Sequence, residues 1–130
     1  MNDIQVPISP GELLDKITIL RIKAARILDA AKLANVKTEL ALLESTWRDS
    51  GCAAPGLAQE ERALSRVNEQ LWDIEDRIRD KEAKQTFDRE FFELARAVYV
   101  SNDERAAIKK RINTQLGSRI IEEKSYKQYR

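Results

Sequence analysis

The sequence predicts an all-α protein, a long antiparallel helical hairpin thickened by one or two shorter helices, with a short extended N-terminal arm. Only four glycines and three prolines occur in 130 residues, so few positions interrupt a helix. From Leu13 onward, apolar residues recur at alternating steps of four and three, which is helical and coiled-coil-like periodicity. A chain of this length is expected to form a single domain over residues 1–130.

The first helix is predicted to begin at Ser9. Residues 1–8 alternate apolar and polar side chains and predict the extended arm, or one short strand. In the run that follows, the Ser9 hydroxyl can cap a helix, Pro10 suits a first helical position, and Glu12 can reach back to the cap. A single stripe continues from there, through Leu13, Ile17, Leu20, Ala24, Ile27, Ala31 and Ala34. We expect a kink or a tight turn at Ala34-Asn35-Val36, since Asn favours caps and left-handed conformations.

The remaining chain predicts further helices separated by one clear loop, residues 49–56. A long helix is expected from about Leu57 into the eighties, with its stripe at Leu64, Val67, Leu71, Ile74 and Ile78. Thr86 is expected to cap the next segment. The run Ser101-Asn102-Asp103-Glu104 resembles a second capping box, and we expect it to open a separate helix that ends at Gly117. Helices of this length carry more apolar surface than a small monomer covers, so a homodimer is expected.

The composition excludes several classes of activity. The chain has no histidine, which removes Ser-His-Asp and Cys-His catalysis and His-ligated zinc. Its one cysteine, Cys52, cannot form an intramolecular disulfide, which fits a reducing compartment. A formal net charge of +1 lacks the basic excess of a duplex-binding protein. Neither a signal peptide nor a membrane span is predicted, and a cytoplasmic location is expected.

Several runs together resemble a known family. They are residues 9–20 (SPGELLDKITIL), 67–76 (VNEQLWDIED), 101–106 (SNDERA) and 117–126 (GSRIIEEKSY). The chain resembles a bacterial family with a domain of unknown function, whose members are often encoded near, or fused to, glycosyltransferases and other cell-surface polysaccharide genes. The resemblance implies a helical protein with a role, and a protein partner, in surface-glycan assembly. It brings no catalytic residues.

One candidate site is acidic. Asp73 and Asp76 lie three residues apart on one predicted helix, and Glu90 and Glu93 lie three apart on the next. Each pair shares a helix face, and two such pairs on facing helices could hold Mg²⁺ through oxygen ligands. All-α nucleotide pyrophosphohydrolases have a pattern of this general kind. The simpler interpretation is a solvated face neutralised by neighbouring arginines.

A second candidate site is basic. Arg105 and Lys109 share a helix face, and residues 94–130 hold nine Lys and Arg against four acids. This region could meet a phosphate, a nucleotide-sugar or an acidic partner. The simpler interpretation is a C-terminal helix whose cations suit its own dipole. Trp72, beside the core stripe, is expected to cover the edge of the core or to anchor a partner.

Two classes of function therefore remain open. The leading hypothesis is a non-enzymatic helical interaction module, homodimeric and without a cofactor, that serves surface-polysaccharide biosynthesis. The alternative is a small metal-dependent hydrolase of a nucleotide or nucleotide-sugar, with Mg²⁺ on the four carboxylates and Arg105 or Lys109 on phosphate. Chemistry like that of helical chorismate mutases is a third hypothesis, but the sequence does not assemble its cation-lined pocket.

Overall fold

The computed structural model describes residues 2–129, and within that range the all-α prediction is confirmed, because no strand forms. Residues 2–7 are exposed and belong to no helix or strand. The helices in this range are α1 (Pro10–Arg26), α2 (Ala30–Ser50), α3 (Ala58–Ala83) and α4 (Arg89–Gln115), with a 3₁₀ turn over Pro55–Leu57. Residues 118–129, called the C-terminal segment below, follow α4 without regular structure.

Helix α1 begins where the sequence predicts. The backbone N–H of Glu12 donates to Ser9 Oγ at 3.2 Å, and Pro10 is the first helical residue. This cap satisfies one of the backbone donors that a helix start leaves without an intrahelical partner. Along α1 the apolar stripe is buried, at Leu13, Leu14, Ile17, Leu20 and Ile22.

The predicted turn at Ala34-Asn35-Val36 is wrong, because the chain breaks earlier. Ile27 ends α1 in an extended conformation (φ −76°, ψ 128°), and α2 then runs unbroken from residue 30 to residue 50. Ala31 and Ala34 of the predicted stripe are exposed on α2, so the buried stripe of α1 does not continue past this connection. Val36 is the buried residue of α2, and its burial holds the predicted turn in helical form.

The predicted caps at Thr86 and Ser101 are also wrong. Helix α4 is capped by Asp88, whose Oδ1 accepts from the backbone N–H of Phe91 at 3.0 Å. No glycine or proline lies between residues 89 and 101, so the helix passes through Ser101, which is buried in its interior. The end at Gly117 is confirmed. This residue is left-handed (φ 65°), and the backbone N–H of Ser118 donates to Asn113 O at 2.9 Å.

The core lies where α1, α3 and α4 meet. Residues early in α3 contact residues late in α4, as in the ion pair Glu60–Arg111, and Arg77 near the end of α3 pairs with Glu90 near the start of α4. The core is made of Leu14, Leu57, Leu64, Val67, Leu71, Ile108 and Ile112, with Trp47 of α2 packed against it. Helix α2 otherwise lies mainly along α1.

Gly11 lets α1 approach α4 closely. Its backbone N–H donates to Asn113 Oδ1 at 2.7 Å, in a buried hydrogen bond. A Cβ atom at Gly11 would lie 2.6 Å from the carbonyl oxygen of Lys109, closer than a carbon atom tolerates. This contact sets Glu12 and Asp15 beside Lys109, a residue of the cleft described next.

Candidate functional site

A cleft of about 510 Å³ lies between α4 and the C-terminal segment. Its size falls within the range of small-molecule sites, roughly 300–1,000 Å³. Both walls carry cations and aromatic rings. The lining side chains used below are Tyr99, Asn102, Arg105 and Lys109 of α4, and Lys124, Tyr126, Lys127 and Tyr129 of the C-terminal segment.

Helical spacing places the α4 residues together. Asn102, Arg105 and Lys109 are separated by three and four positions, so they stand on one face. The sequence predicted this shared face for Arg105 and Lys109, and the structure brings both into the wall of one cleft. The capacity of this face to bind an anion depends on how far the partners of each side chain neutralise its charge.

Arg105 is held by neutral partners. Its Nη1 donates to Asn68 Oδ1 at 3.2 Å and its Nη2 donates to Asn102 Oδ1 at 2.9 Å. Among residues 2–129 it forms no ion pair within 4.0 Å. A guanidinium group has five N–H donors, and these two bonds orient it without neutralising its charge.

A buried polar network orients Asn68 in turn. Asn68 Nδ2 donates to Asp15 Oδ1 at 2.8 Å and to Thr18 Oγ1 at 3.0 Å. Asp15, Thr18 and Asn68 are each no more than 5% exposed. Because the amide nitrogen is used on α1, the amide oxygen of Asn68 faces Arg105. In the sequence, Asp15 lies within an apolar run, and a buried carboxylate there needs a polar partner, but nothing in the sequence identifies Asn68 as that partner.

Lys109 is held by acidic partners instead. Its Nζ lies 2.7 Å from Glu12 Oε2, 3.2 Å from Glu122 Oε1 and 3.8 Å from Asp15 Oδ2, and its side chain is 11% exposed. Burial lowers the pKa of Lys109, but the hydrogen bond and charge of Glu12, with Asp15 and Glu122, raise it more, and the net pKa is raised. Lys109 therefore ties α1, α4 and the C-terminal segment together, and its charge is largely compensated.

All three tyrosines of the chain line this cleft. The rings of Tyr99 and Tyr129 meet edge to face with centroids 5.0 Å apart, and Tyr129 Oη donates to Asp103 Oδ2 at 2.8 Å. Lys124 Nζ lies 5.9 Å from the centre of the Tyr126 ring. Each ring remains more than 40% exposed, so aromatic faces are presented beside the cations.

The four carboxylates of the acidic candidate site lie apart from this cleft. Asp73 accepts from Arg26 at 2.6 Å, Glu93 accepts from Arg89 at 3.0 Å, and Glu90 pairs with Arg77. Asp76 is exposed. Across residues 2–129, no group of three or more acidic or cysteine side chains is placed to hold a metal ion. The structure therefore gives three of these carboxylates arginine partners and does not gather the four.

Comparison with known proteins identifies a family without assigning an activity. A family model described as a family of unknown function (DUF6165) matches residues 4–129. No curated protein and no solved structure matches the chain. Within the described residues, none of the helices combines the length and apolar character that crossing a membrane requires.

Proposed function

The chain belongs to the DUF6165 family of unknown function, and we propose that it is a binding module that holds a phosphate-bearing ligand between α4 and the C-terminal segment. The observation that carries this proposal is the charge of Arg105. This side chain lines the cleft and is oriented by two amide oxygens, from Asn68 and Asn102. Its remaining donors match the paired oxygens of a phosphate, which guanidinium groups bind in bidentate geometry.

Arg105 is suited to bind an anion because hydrogen bonds within the protein offset the free-energy cost of holding its charge half-buried. A half-buried cation without an ion-pair partner is unfavourable unless hydrogen bonds hold it. Here Asn68 and Asn102 supply those bonds, and Asn68 is fixed by Asp15 beneath it. An incoming phosphate would find Arg105 already oriented, which reduces the ordering cost of binding. Lys124 and Lys127 on the opposite wall add positive charge.

Calorimetric titration with inorganic pyrophosphate at low salt tests the proposal. We expect the wild-type chain to bind pyrophosphate and Arg105→Gln to bind it about tenfold or more weakly, which corresponds to roughly 1.4 kcal/mol. Arg89→Gln is the matched control, because it removes the same charge from an exposed side chain, outside the cleft, that pairs with Glu93 on its own helix. Absence of pyrophosphate binding by the wild type, or equal affinity in Arg105→Gln, would refute the proposal.

We place this binding module in cell-surface polysaccharide assembly, and this placement rests on the resemblance described in the sequence analysis alone. Deleting the gene in its host and measuring surface polysaccharide tests it. Complementation with the Arg105→Gln gene links the result to the cleft. If the deletion leaves surface polysaccharide unchanged, the placement is wrong.

Three expectations from the sequence stay predictions. A cytoplasmic location is tested by cell fractionation. A homodimer is tested by light scattering on the purified chain, where a monomeric mass would contradict it. The metal-dependent hydrolase is tested by incubating nucleotides and nucleotide-sugars with the chain and Mg²⁺. Release of phosphate or a nucleoside monophosphate that is lost in Asp73→Asn would support that activity.

A further inference from the structure

A second cleft, of about 420 Å³, lies on the other side of Arg105. Its apolar floor is formed by Ile19 and Leu71 with the half-buried ring of Trp72. Arg105 and Asn102 belong to the wall of this cleft and also to the wall of the first. The two clefts therefore share the arginine that we assign to phosphate.

The two clefts differ in charge. Apart from the shared Arg105, the first is lined by Lys109, Lys124 and Lys127 against Asp103, whereas in the second Lys23 and Arg79 balance Glu75 and Asp76. Glu75 accepts from Arg79 at 3.0 Å, so these two side chains neutralise each other. Beyond Arg105, the second cleft therefore has no excess of positive charge to attract a further phosphate. Hydroxyl groups would find hydrogen-bond acceptors in its carboxylates and donors in its cations. The half-buried Trp72 ring has the Arg26 guanidinium 5.8 Å from its centroid and offers its remaining apolar surface for a ring to stack against.

We propose that the ligand is a diester of pyrophosphate with a ring on each side, of the nucleoside diphosphate sugar class. The pyrophosphate lies at Arg105, the nucleobase lies among the three tyrosines of the first cleft, and the polyhydroxylated ring lies against Trp72 in the second. This assignment rests on the proposed function, because it extends the same phosphate site in both directions. It accounts for the single oriented arginine that is shared by an aromatic, cationic cleft and by a second cleft with an apolar floor and balanced charges.

Trp72 supplies a direct readout of the second cleft. The chain has two tryptophans, and the other, Trp47, packs against the core. In a Trp47→Phe background, tryptophan emission comes from Trp72 alone, and selective excitation of tryptophan keeps the three tyrosines out of the signal. We expect UDP-glucose, ADP-glucose or GDP-mannose to change Trp72 emission and to bind about tenfold tighter than the matched nucleoside diphosphate. UDP, ADP and GDP should bind while leaving Trp72 emission unchanged.

Substitution of Trp72 distinguishes the contribution of the polyhydroxylated ring to affinity from that of the nucleoside diphosphate. Trp72→Ala should lower affinity for the diphosphate sugar to that of its nucleoside diphosphate and leave the affinity for the nucleoside diphosphate itself unchanged. Trp72→Phe, which keeps an aromatic ring, should retain most of the affinity for the sugar-bearing ligand and guards against a folding defect in the alanine variant. Circular dichroism confirms that each variant is folded.

The outcomes distinguish this inference from the proposed function. If pyrophosphate binds through Arg105 but none of the three diphosphate sugars binds more tightly than its own nucleoside diphosphate, the inference is overturned and the proposed function stands. The same conclusion follows if the sugar-bearing ligands bind and Trp72→Ala does not weaken them. If pyrophosphate and the nucleoside diphosphates all fail to bind, the proposed function itself is overturned.

Discussion

At Gly11 the backbone of α1 lies against the backbone of α4. We predict that Gly11→Ala destabilises the protein by about 1–3 kcal/mol, the usual cost of forcing extra atoms into a packed contact. The new Cβ would stand 2.6 Å from Lys109 O and 2.9 Å from Asn113 Oδ1, and a helical backbone cannot move aside as a flexible side chain can. The gain in helix propensity from Ala, at most about 1 kcal/mol, is too small to offset this.

Urea unfolding measures the change, and Gly56→Ala is its control. A Cβ at Gly56 would meet only Gln115 Nε2, at 3.1 Å, and this exposed amide can move aside at the cost of its one hydrogen bond to Gly56 O. We expect Gly56→Ala to change the free energy of unfolding by much less than Gly11→Ala. Equal effects of the two substitutions would show that close approach at Gly11 does not limit the packing of α1 on α4.

Individual residues of the cleft differ in how far the sequence could predict them. Arg105 and Lys109 were predicted to share a face because they are four apart on one helix. The sequence could not predict that Arg105 has neutral partners and Lys109 acidic ones. Asn68 of α3 lies 37 positions from Arg105 along the chain, and Glu12 of α1 lies 97 positions from Lys109. Asp15 gave the one usable signal, a carboxylate within an apolar run. The Asn68 partner needed the packing of α1 on α3.

At the scale of helices, the two predicted serine caps provide a paired test. Ser9 is a cap in the structure and Ser101 lies inside α4. We expect Ser9→Ala to cost about 1 kcal/mol, the typical loss for a helix N-cap. Ser101→Ala should range from neutral to a gain of about 0.5 kcal/mol, since Ala is the better helix former in an interior position. Thermal or urea unfolding of both variants checks this, and an equal loss at Ser101 would contradict it.

The sequence predicted helix boundaries correctly where a capping residue or a proline or glycine with special backbone geometry marks the helix end. The start at Ser9-Pro10 and the end at Gly117 combine local chemistry with special backbone geometry, and both were predicted. The break at residues 27–29 has neither glycine nor proline, so the stripe through Ile27 and Ala31 concealed it. Packing decides that break, because α2 turns back along α1 and buries Val36.

At the scale of the whole molecule, the C-terminal segment is attached to the helices mainly through charged and polar contacts. Glu122 binds Lys109, Glu123 lies 3.8 Å from Lys110, and Tyr129 donates to Asp103. The Lys109 contact also pulls the pKa of Glu122 below its usual value, although partial burial acts to raise it. One wall of the proposed binding site thus depends on ion pairs rather than on a hydrophobic core.

These ion pairs make the stability of the molecule dependent on pH in the alkaline range. Because the folded-state pKa of Lys109 is raised above the usual 10.5, the folded state holds this proton more tightly than the unfolded chain does. The resulting stabilisation is fully present below about pH 10.5 and is lost as the pH rises through the folded-state value. We therefore predict that the wild type is more stable than Lys109→Met at pH 7–9, and that the difference between them narrows above pH 10.5.

Urea unfolding of both chains from pH 7 to pH 11.5 measures this difference, and groups common to both, such as the three tyrosines, cancel from it. Lys110→Met is the matched control, because Lys110 is the next residue of α4, is 58% exposed and only approaches Glu123 at 3.8 Å. An exposed pair of this kind contributes little, so this variant should follow the wild type across the whole range. A difference between wild type and Lys109→Met that stays constant to pH 11.5 would contradict a stabilisation by the protonated ammonium group of Lys109.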